Sequence, residues 1–171
     1  MLKVGILSDT HGFIDPRIVN TVNTCDHIIH AGDICGADIL AQLRPRIALH
    51  AVAGNNDHAA AWSAAEHAVV NALPAQIELT LPGGLVIIEH GHRLGGFPDH
   101  EQFRWDHAEA RMIVYGHTHK RVIDQSAEPW IINPGAAGKE RTRGGPSCLV
   151  LHASENAWKI ETVVFADEAA A

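Results

Sequence analysis

The chain has 171 residues, of which 46% are apolar and 19% charged, and a formal charge of −7 with histidines neutral. That is enough chain for one globular domain with a real core, expected to span residues 1–171. It excludes a broad basic surface for nucleic acid, and no uncharged apolar run approaches the ~20 residues of a membrane-spanning helix.

Leu2 to Ser8 is an apolar run rich in β-formers and ends in Asp9-Thr10-His11-Gly12. A strand that starts this early leaves no room for a secretory signal, so the expected location is the cytoplasm. Pro16 to Asn23 reads as a short helix with Asp15 as its N-cap and Pro16 in its first turn. Asp26 to His30 is a second strand, ending in Ala31-Gly32-Asp33. Ala37 to Leu43 is a second helix, stopped near Pro45. Ile47 to Ala53 is a third strand, ending in Gly54-Asn55-Asn56-Asp57. This alternation predicts a parallel α/β unit.

The rhythm then changes. Ala59 to Asn71 predicts a loop with a partial helix. Gln76 to Leu81 and Leu85 to Glu89 flank Pro82-Gly83-Gly84, a hairpin signal, and the second strand ends in His90-Gly91-His92. A helix is expected around Asp99 to His107. The strand Met112 to Tyr115 runs into Gly116-His117-Thr118-His119. Arg121–Gln125, Trp130–Ile132, Cys148–His152 and Trp158–Phe165 read as further strands. Asn133-Pro134-Gly135 is a tight turn, Lys139 to Pro146 a charged, Gly-rich loop, and residues 166–171 a frayed tail. The whole predicts two packed sheets with helices outside.

Five predicted strands thus end in polar clusters. Each has a plain explanation: Asp9 and Asp33 can cap helices, Asn55 can serve a turn, and His90 can be an ordinary packed histidine. Thirteen histidines against one tyrosine raise the chance of any single match. The conjunction is harder to obtain from capping alone. In α/β sheets, sites form beyond the strand ends where loops converge. His117 and His119, two apart in extended chain, point to one side like a pair of metal ligands. Cys25, Cys35 and Cys148 form no C-x-x-C and fit reduced core thiols.

D-x-H, G-D, G-N-x-D, H-G-H and G-H-x-H, in this order from Leu2 to about Leu151, resemble the calcineurin-like metallophosphoesterase family. The likeness is to its short single-domain members, which are similar in fold to the retromer scaffold subunit. It implies a four-layer α/β/β/α sandwich of two mixed sheets flanked by helices. It also implies that Asp9, His11, Asp33 and His119 hold one metal and that Asp33, Asn55, His90 and His117 hold a second, with Asp33 bridging. A hydroxide bridging the two ions would attack phosphorus in line. Two divalent ions, two carboxylates and a hydroxide leave the site about one unit positive, suited to a phosphate. Mixed nitrogen and oxygen ligation admits Fe, Ni, Co or Zn, with Mn the expected ion.

One position departs from the family. Many members carry histidine, and small ones often cysteine, after the motif asparagine; this chain has Asn56. Asparagine donates a hydrogen bond but is no general acid near neutral pH. Good leaving groups should therefore be favoured, with His92 or His58 as substitutes. Asp57 is expected to orient a ligand rather than be one. Ala53 stands where small members often place a basic residue. His30 is expected to pack beside the site. Trp62, Trp105, Trp130 and Trp158 read as core or interface anchors, and Arg93, Arg104 and Arg141 as solvated charge.

The expected function is a dinuclear-metal-dependent phosphoesterase, most specifically a phosphodiesterase on a small phosphoester. The alternatives are a protein-binding scaffold on the same fold and a metal-binding protein without catalysis. Small family members are often dimers or higher, which implies the same here.

Overall fold

Residues 1–167 are described by the computed structural model of the protein. Ten strands in two five-stranded sheets account for the core of the described residues. The first sheet contains β1 (Leu2–Leu7), β2 (His27–His30), β3 (Ala48–Ala51), β9 (Ser147–Ala153) and β10 (Trp158–Val164) in the order β10-β9-β1-β2-β3. The second contains β4 (Gln76–Leu81), β5 (Gly84–Glu89), β6 (Met112–Val114), β7 (Val122–Asp124) and β8 (Trp130–Asn133) in the order β4-β5-β6-β8-β7. Both are mixed. β1-β2-β3 and β5-β6-β8 are parallel and the outer pairings antiparallel.

The period-2 alternation of each strand assigns its side chains to layers. Val4 and Ile6 of β1, Val86 and Ile88 of β5, and Met112 and Val114 of β6 share one cluster between the sheets. Leu7, next along β1 and on its opposite face, packs instead with Ile18 and Val22 of α1 (Pro16–Val22) and Ile39 of α2 (Ala37–Gln42). Ile87, Ile113 and Ile131, on the far face of the second sheet, pack with Phe103 of α4 (His100–Asp106). Burial on both faces explains why these strands read as unbroken apolar runs. The result is the expected α/β/β/α sandwich.

Local signals behave as their chemistry dictates. Asp15 accepts from Arg17 N at 2.8 Å and caps α1, which opens on Pro16. α1 lies so close to β1 that a Cβ on Gly5 would meet Val22 Cβ at 2.8 Å. Pro82-Gly83 turns β4 into β5, with Leu81 opposite Gly84. The partial helix after the third strand is a 3-10 turn at Ala64–Glu66 running into α3 (His67–Asn71). Residues 166 and 167 of the expected tail are tied down: Arg17 Nη2 donates to Ala166 O at 3.1 Å and Thr142 Oγ1 to Asp167 Oδ1 at 2.9 Å. Residues 168–171 of it lie outside the described residues.

Register positions the site. Leu7 pairs with His30 and His30 with Ala51, so the loops bearing Asp9, Asp33 and Asn55 leave the first sheet at one end. Ile88, Val114 and Ile132 are likewise aligned, which brings out His90, His117 and Asn133 together.

Candidate metal centre

The two groups of loops meet. His90 Nδ1 donates to Ala31 O at 2.7 Å, across the sheets, and His117 N donates to Asp9 Oδ1 at 3.2 Å. Asn133 Nδ2 donates to Gly116 O at 2.7 Å and holds the G-H-T-H loop from behind. Neither Asp9 nor Asp33 caps a helix. Asp15 performs that task for α1, and α2 opens on Gly36 without a side-chain cap.

Two candidate metal-ligand clusters result. In Asp9, His11 and His119, and in Asp9, Asp33 and His90, the donor atoms all lie within 4.8 Å of one another. Asp33 reaches both sides through a single oxygen, Oδ2, which is 3.6 Å from His11 Nε2 and 3.4 Å from His90 Nε2. Asn55 Oδ1 and His117 Nδ1 face each other at 3.0 Å, and the His117 ring stands edge-on to His90 at 5.2 Å. All seven predicted ligands are therefore in one neighbourhood.

The donor set fits a cation. Asp9 Oδ2 and His90 Nε2 are fully buried yet lack a hydrogen-bond partner among the described residues, a state that costs free energy unless something else satisfies them. His90 and His119 each donate Nδ1–H to a carbonyl, the latter to Glu140 O at 2.8 Å, which turns Nε2 inward, where it is the lone-pair nitrogen once the ring is neutral. Burial pushes the Asp9 carboxyl up to about 7, against the opposing charge of His90. Burial acts the same way on Asp33, but the charge of His90, 3.4 Å away, and two hydrogen bonds from Asn56 outweigh it and hold this carboxyl well below the usual range. Burial lowers His119 to about 4 and also lowers His117, so both are neutral imidazoles near pH 7.

Glycine makes room at two points. A Cβ on Gly116 would fall 2.0 Å from Ser8 Oγ, and one on Gly54 would fall 2.2 Å from Asp33 Oδ1. The backbone itself is strained. Asp9, His11, Asp33, His117 and His119 all have φ between 46° and 69°, the left-handed region that residues with a Cβ seldom occupy. Strain of this kind gathers at working sites, where surrounding structure over-determines it.

The other singled-out residues sort by contact. Asn56 donates to Asp33 twice, Nδ2 to Oδ2 at 2.8 Å and backbone N to Oδ1 at 2.9 Å. The exposed His92 ring lies 5.5 Å from His90 and 6.3 Å from His117. His58 is exposed. Asp57 takes backbone N–H bonds from Ile34, Cys35 and Gly54 and one from Trp62 Nε1, so it joins two site loops through their main chains rather than orienting a ligand side chain. His30 is fully buried beside Thr10, with Nε2 3.0 Å from Thr10 Oγ1. Trp62 and Trp158 are core anchors as expected, whereas Trp105 is 84% exposed. Cys25 and Cys148 are core thiols; Cys35 is half-buried, with Sγ 3.9 Å from His11 Nδ1.

Arg93 is exposed, as expected of surface charge, and pairs with Glu89 and Asp106. Arg104 pairs with Glu101 and Asp124. Arg141 turns to the site, with Nη2 3.1 Å from His119 Nε2. The only sequence trace of that role is a basic residue in a Gly-rich loop eight residues past Asn133.

Known proteins resemble this chain in sequence and fold. Residues 2–156 match the calcineurin-like phosphoesterase superfamily domain. The chain is 27% identical over 159 residues to a probable metallophosphoesterase of Methanothermobacter thermautotrophicus, covering 88% of this chain and 85% of that one. It is 26% identical over 144 residues to a phosphodiesterase of Methanocaldococcus jannaschii, covering 78% and 83%. Its fold matches Vps29 of Entamoeba histolytica, solved with Zn2+, at a TM-score of 0.72 and 19% identity, over 95% of this chain and 99% of that one. No helix among the described residues is long and apolar enough to cross a membrane. Paired clusters and fold together support a metal-dependent phosphoesterase, and the chain belongs to the calcineurin-like phosphoesterase superfamily.

Proposed function

We propose that the protein is a phosphodiesterase acting on a small phosphoester in the cytoplasm, as one domain of residues 1–171. Asp9, His11, Asp33 and His119 would hold one divalent ion and Asp33, Asn55, His90 and His117 the other. The observation that carries this is Asp33 Oδ2, placed within 3.6 Å of a histidine nitrogen on either side. Two such ions, when bound, would supply a Lewis-acidic clamp on phosphoryl oxygens and a water acidic enough to act as nucleophile near neutral pH. The mixed N and O donor set suits Mn, with Fe, Ni, Co or Zn as substitutes.

The chain's own residues do the rest. His90 and His119, each anchored through Nδ1, keep their Nε2 atoms aimed inward without reorganisation. Asn56 has an amide donor beside Asp33, where it can hydrogen-bond a phosphoryl oxygen but cannot protonate a leaving group. His92, on the surface beside His90, has its pKa lowered by partial desolvation and by the charge of His90, so its neutral major form can accept a proton and only its minor protonated form can give one. Asp57 keeps the two loops in register. Without a strong general acid, diesters with acidic leaving alcohols should turn over fastest. One relative bears the name phosphodiesterase, which supports the diester reading.

The test is turnover of a chromogenic phosphodiester, with the matching monoester alongside, in the presence of Mn, Ni, Co or Zn. Diester hydrolysis exceeding monoester hydrolysis is expected. Folded protein inactive with every ion would remove the proposal. The second reading is a scaffold. The exposed Trp105 on α4 favours it, as a side chain suited to a protein contact.

A further inference from the structure

Among the arginines, Arg141 has a distinct kind of partner. Arg93, Arg104 and Arg17 each grip a carboxylate. Among the described residues, the side-chain hydrogen-bond partner of Arg141 is instead the neutral ring nitrogen His119 Nε2, at 3.1 Å. Its charge also bears on His117. A guanidinium thus lies against His119 of the candidate centre, in a protein whose formal charge is −7.

The loop that carries it is fixed on every side. Glu140 O accepts from His119 Nδ1 at 2.8 Å, and Thr142 Oγ1 donates to Asp167 at 2.9 Å. Lys139 Nζ lies 3.8 Å above the Phe13 ring. A Cβ on Gly138 would meet Thr10 O at 2.4 Å, so the loop is pressed against the one that bears Asp9 and His11. Arg141 itself has φ 51°. Its side chain is exposed while both neighbours in sequence are tethered, an arrangement that directs one long cation at one place.

The contact with His119 cannot outlast metal binding. One lone pair on Nε2 serves either a guanidinium donor or a cation, and like charges so close repel. Once His119 is given to an ion, Arg141 keeps its position through Glu140 and Thr142 but has lost its acceptor. The fork of five N–H donors is then open to an acceptor of matching geometry, which a phosphoryl group provides.

We infer that Arg141 is the phosphate clamp of this centre, binding the non-bridging oxygens of the substrate's phosphoryl group once His119 has passed to a metal. This rests on the phosphoesterase reading. It also supplies the basic contact that Ala53 and Asn56 do not.

The test uses the full chain loaded with Mn. Inorganic phosphate is titrated calorimetrically into wild type, Arg141→Ala, Arg141→Lys and Arg143→Ala, with metal content measured on each. Arg143 lies two residues away in the same loop and controls for loss of charge. Expected are two ions in every variant, a phosphate affinity about 10- to 100-fold weaker in Arg141→Ala, partial recovery in Arg141→Lys, and Arg143→Ala near wild type. In turnover, Arg141→Ala should raise KM more than it lowers kcat. Unchanged phosphate affinity in Arg141→Ala would overturn the inference. So would loss of a metal in that variant, because Arg141 would then be a support for His119. A wild-type protein that takes Mn but no phosphate also overturns it. Phosphate binding that needs Arg141, in a protein without turnover, leaves the clamp standing and removes the enzymatic reading alone.

Discussion

His11 and His119 face each other with their Nε2 atoms 3.0 Å apart and their rings stacked at 5.0 Å. His119 Nδ1 is already a donor to Glu140 O, so its Nε2 carries a lone pair in the neutral ring. The Arg141 guanidinium lies 3.1 Å from the same nitrogen, and two ring nitrogens this close, 108 residues apart in sequence, would both be satisfied by one cation. The same convergence recurs at Asp33 Oδ2, between His11 and His90.

Asp33 should therefore be the residue on which both ions depend. Asp33→Ala is expected to lower bound metal from two equivalents towards none and to abolish turnover. His92→Ala should leave both ions in place and change mainly the rate. Elemental analysis after gel filtration reads the difference. Full metal occupancy in Asp33→Ala would show that the carboxylate does not bridge.

Gly116→Ala tests the close approach behind the histidine pair. The added methyl would lie 2.0 Å from Ser8 Oγ and 2.9 Å from Asp9 Oδ2, both buried. Overpacking of this kind costs about 1–3 kcal/mol. A lower urea midpoint and weakened metal binding are expected, with partial recovery in the double variant with Ser8→Ala. An unchanged midpoint would mean that the loop has slack not visible in its packing.

Asp57→Ala should be among the more damaging changes outside the ligands. It strips acceptors from the N–H groups of Ile34, Cys35, Gly54 and Trp62. Buried donors left without partners cost about 1–3 kcal/mol each, so a loss of ~3 kcal/mol or more is expected in denaturant unfolding, together with a shift in Trp62 fluorescence. Asp57→Asn retains one carbonyl oxygen and should lose less.

A pH effect is expected far from the centre, at Asp15. Its side chain takes hydrogen bonds from the Arg17 guanidinium and backbone N, which hold the carboxyl below its usual value. A carboxyl lowered by folding stabilises the fold at pH above its unfolded value. That stability is lost as pH falls from there through the folded value. Arg17 is 37% exposed, so solvent screening keeps the effect to about 1 kcal/mol or less. Asp15→Asn should flatten the stability profile below about pH 4. A slope identical to wild type would assign the acid sensitivity to other carboxylates.

Sequence and structure agree best where periodicity carries the information. The three parallel strands of the first sheet end at the polar clusters because an apolar run must stop where chain leaves the core, and that boundary is written in composition. The cap at Asp15 and the turn at Pro82-Gly83 were legible for the same local reason. Three things were not. Arg141 and His119 are 22 residues apart, and no pattern states that a loop folds back on a strand end. Trp105 is exposed on a helix whose inward face is carried by Phe103, and a seven-residue helix is too short for its periodicity to assign faces. Asp57 acts on main-chain N–H groups, which every residue but proline possesses, so its partners leave no trace in residue identity.

The left-handed backbone at five proposed ligands sets function against stability. Each such residue with a Cβ is held about 1 kcal/mol or more above a relaxed conformation; glycine would adopt the same angle freely. His117, at φ 69° and only partly buried, offers the clearest measurement. His117→Gly should melt higher than wild type when both are metal-free, yet gain less on addition of Mn. A chain selected for fold alone would drift towards glycine at these positions. Histidine and aspartate there mark the stability that the centre consumes.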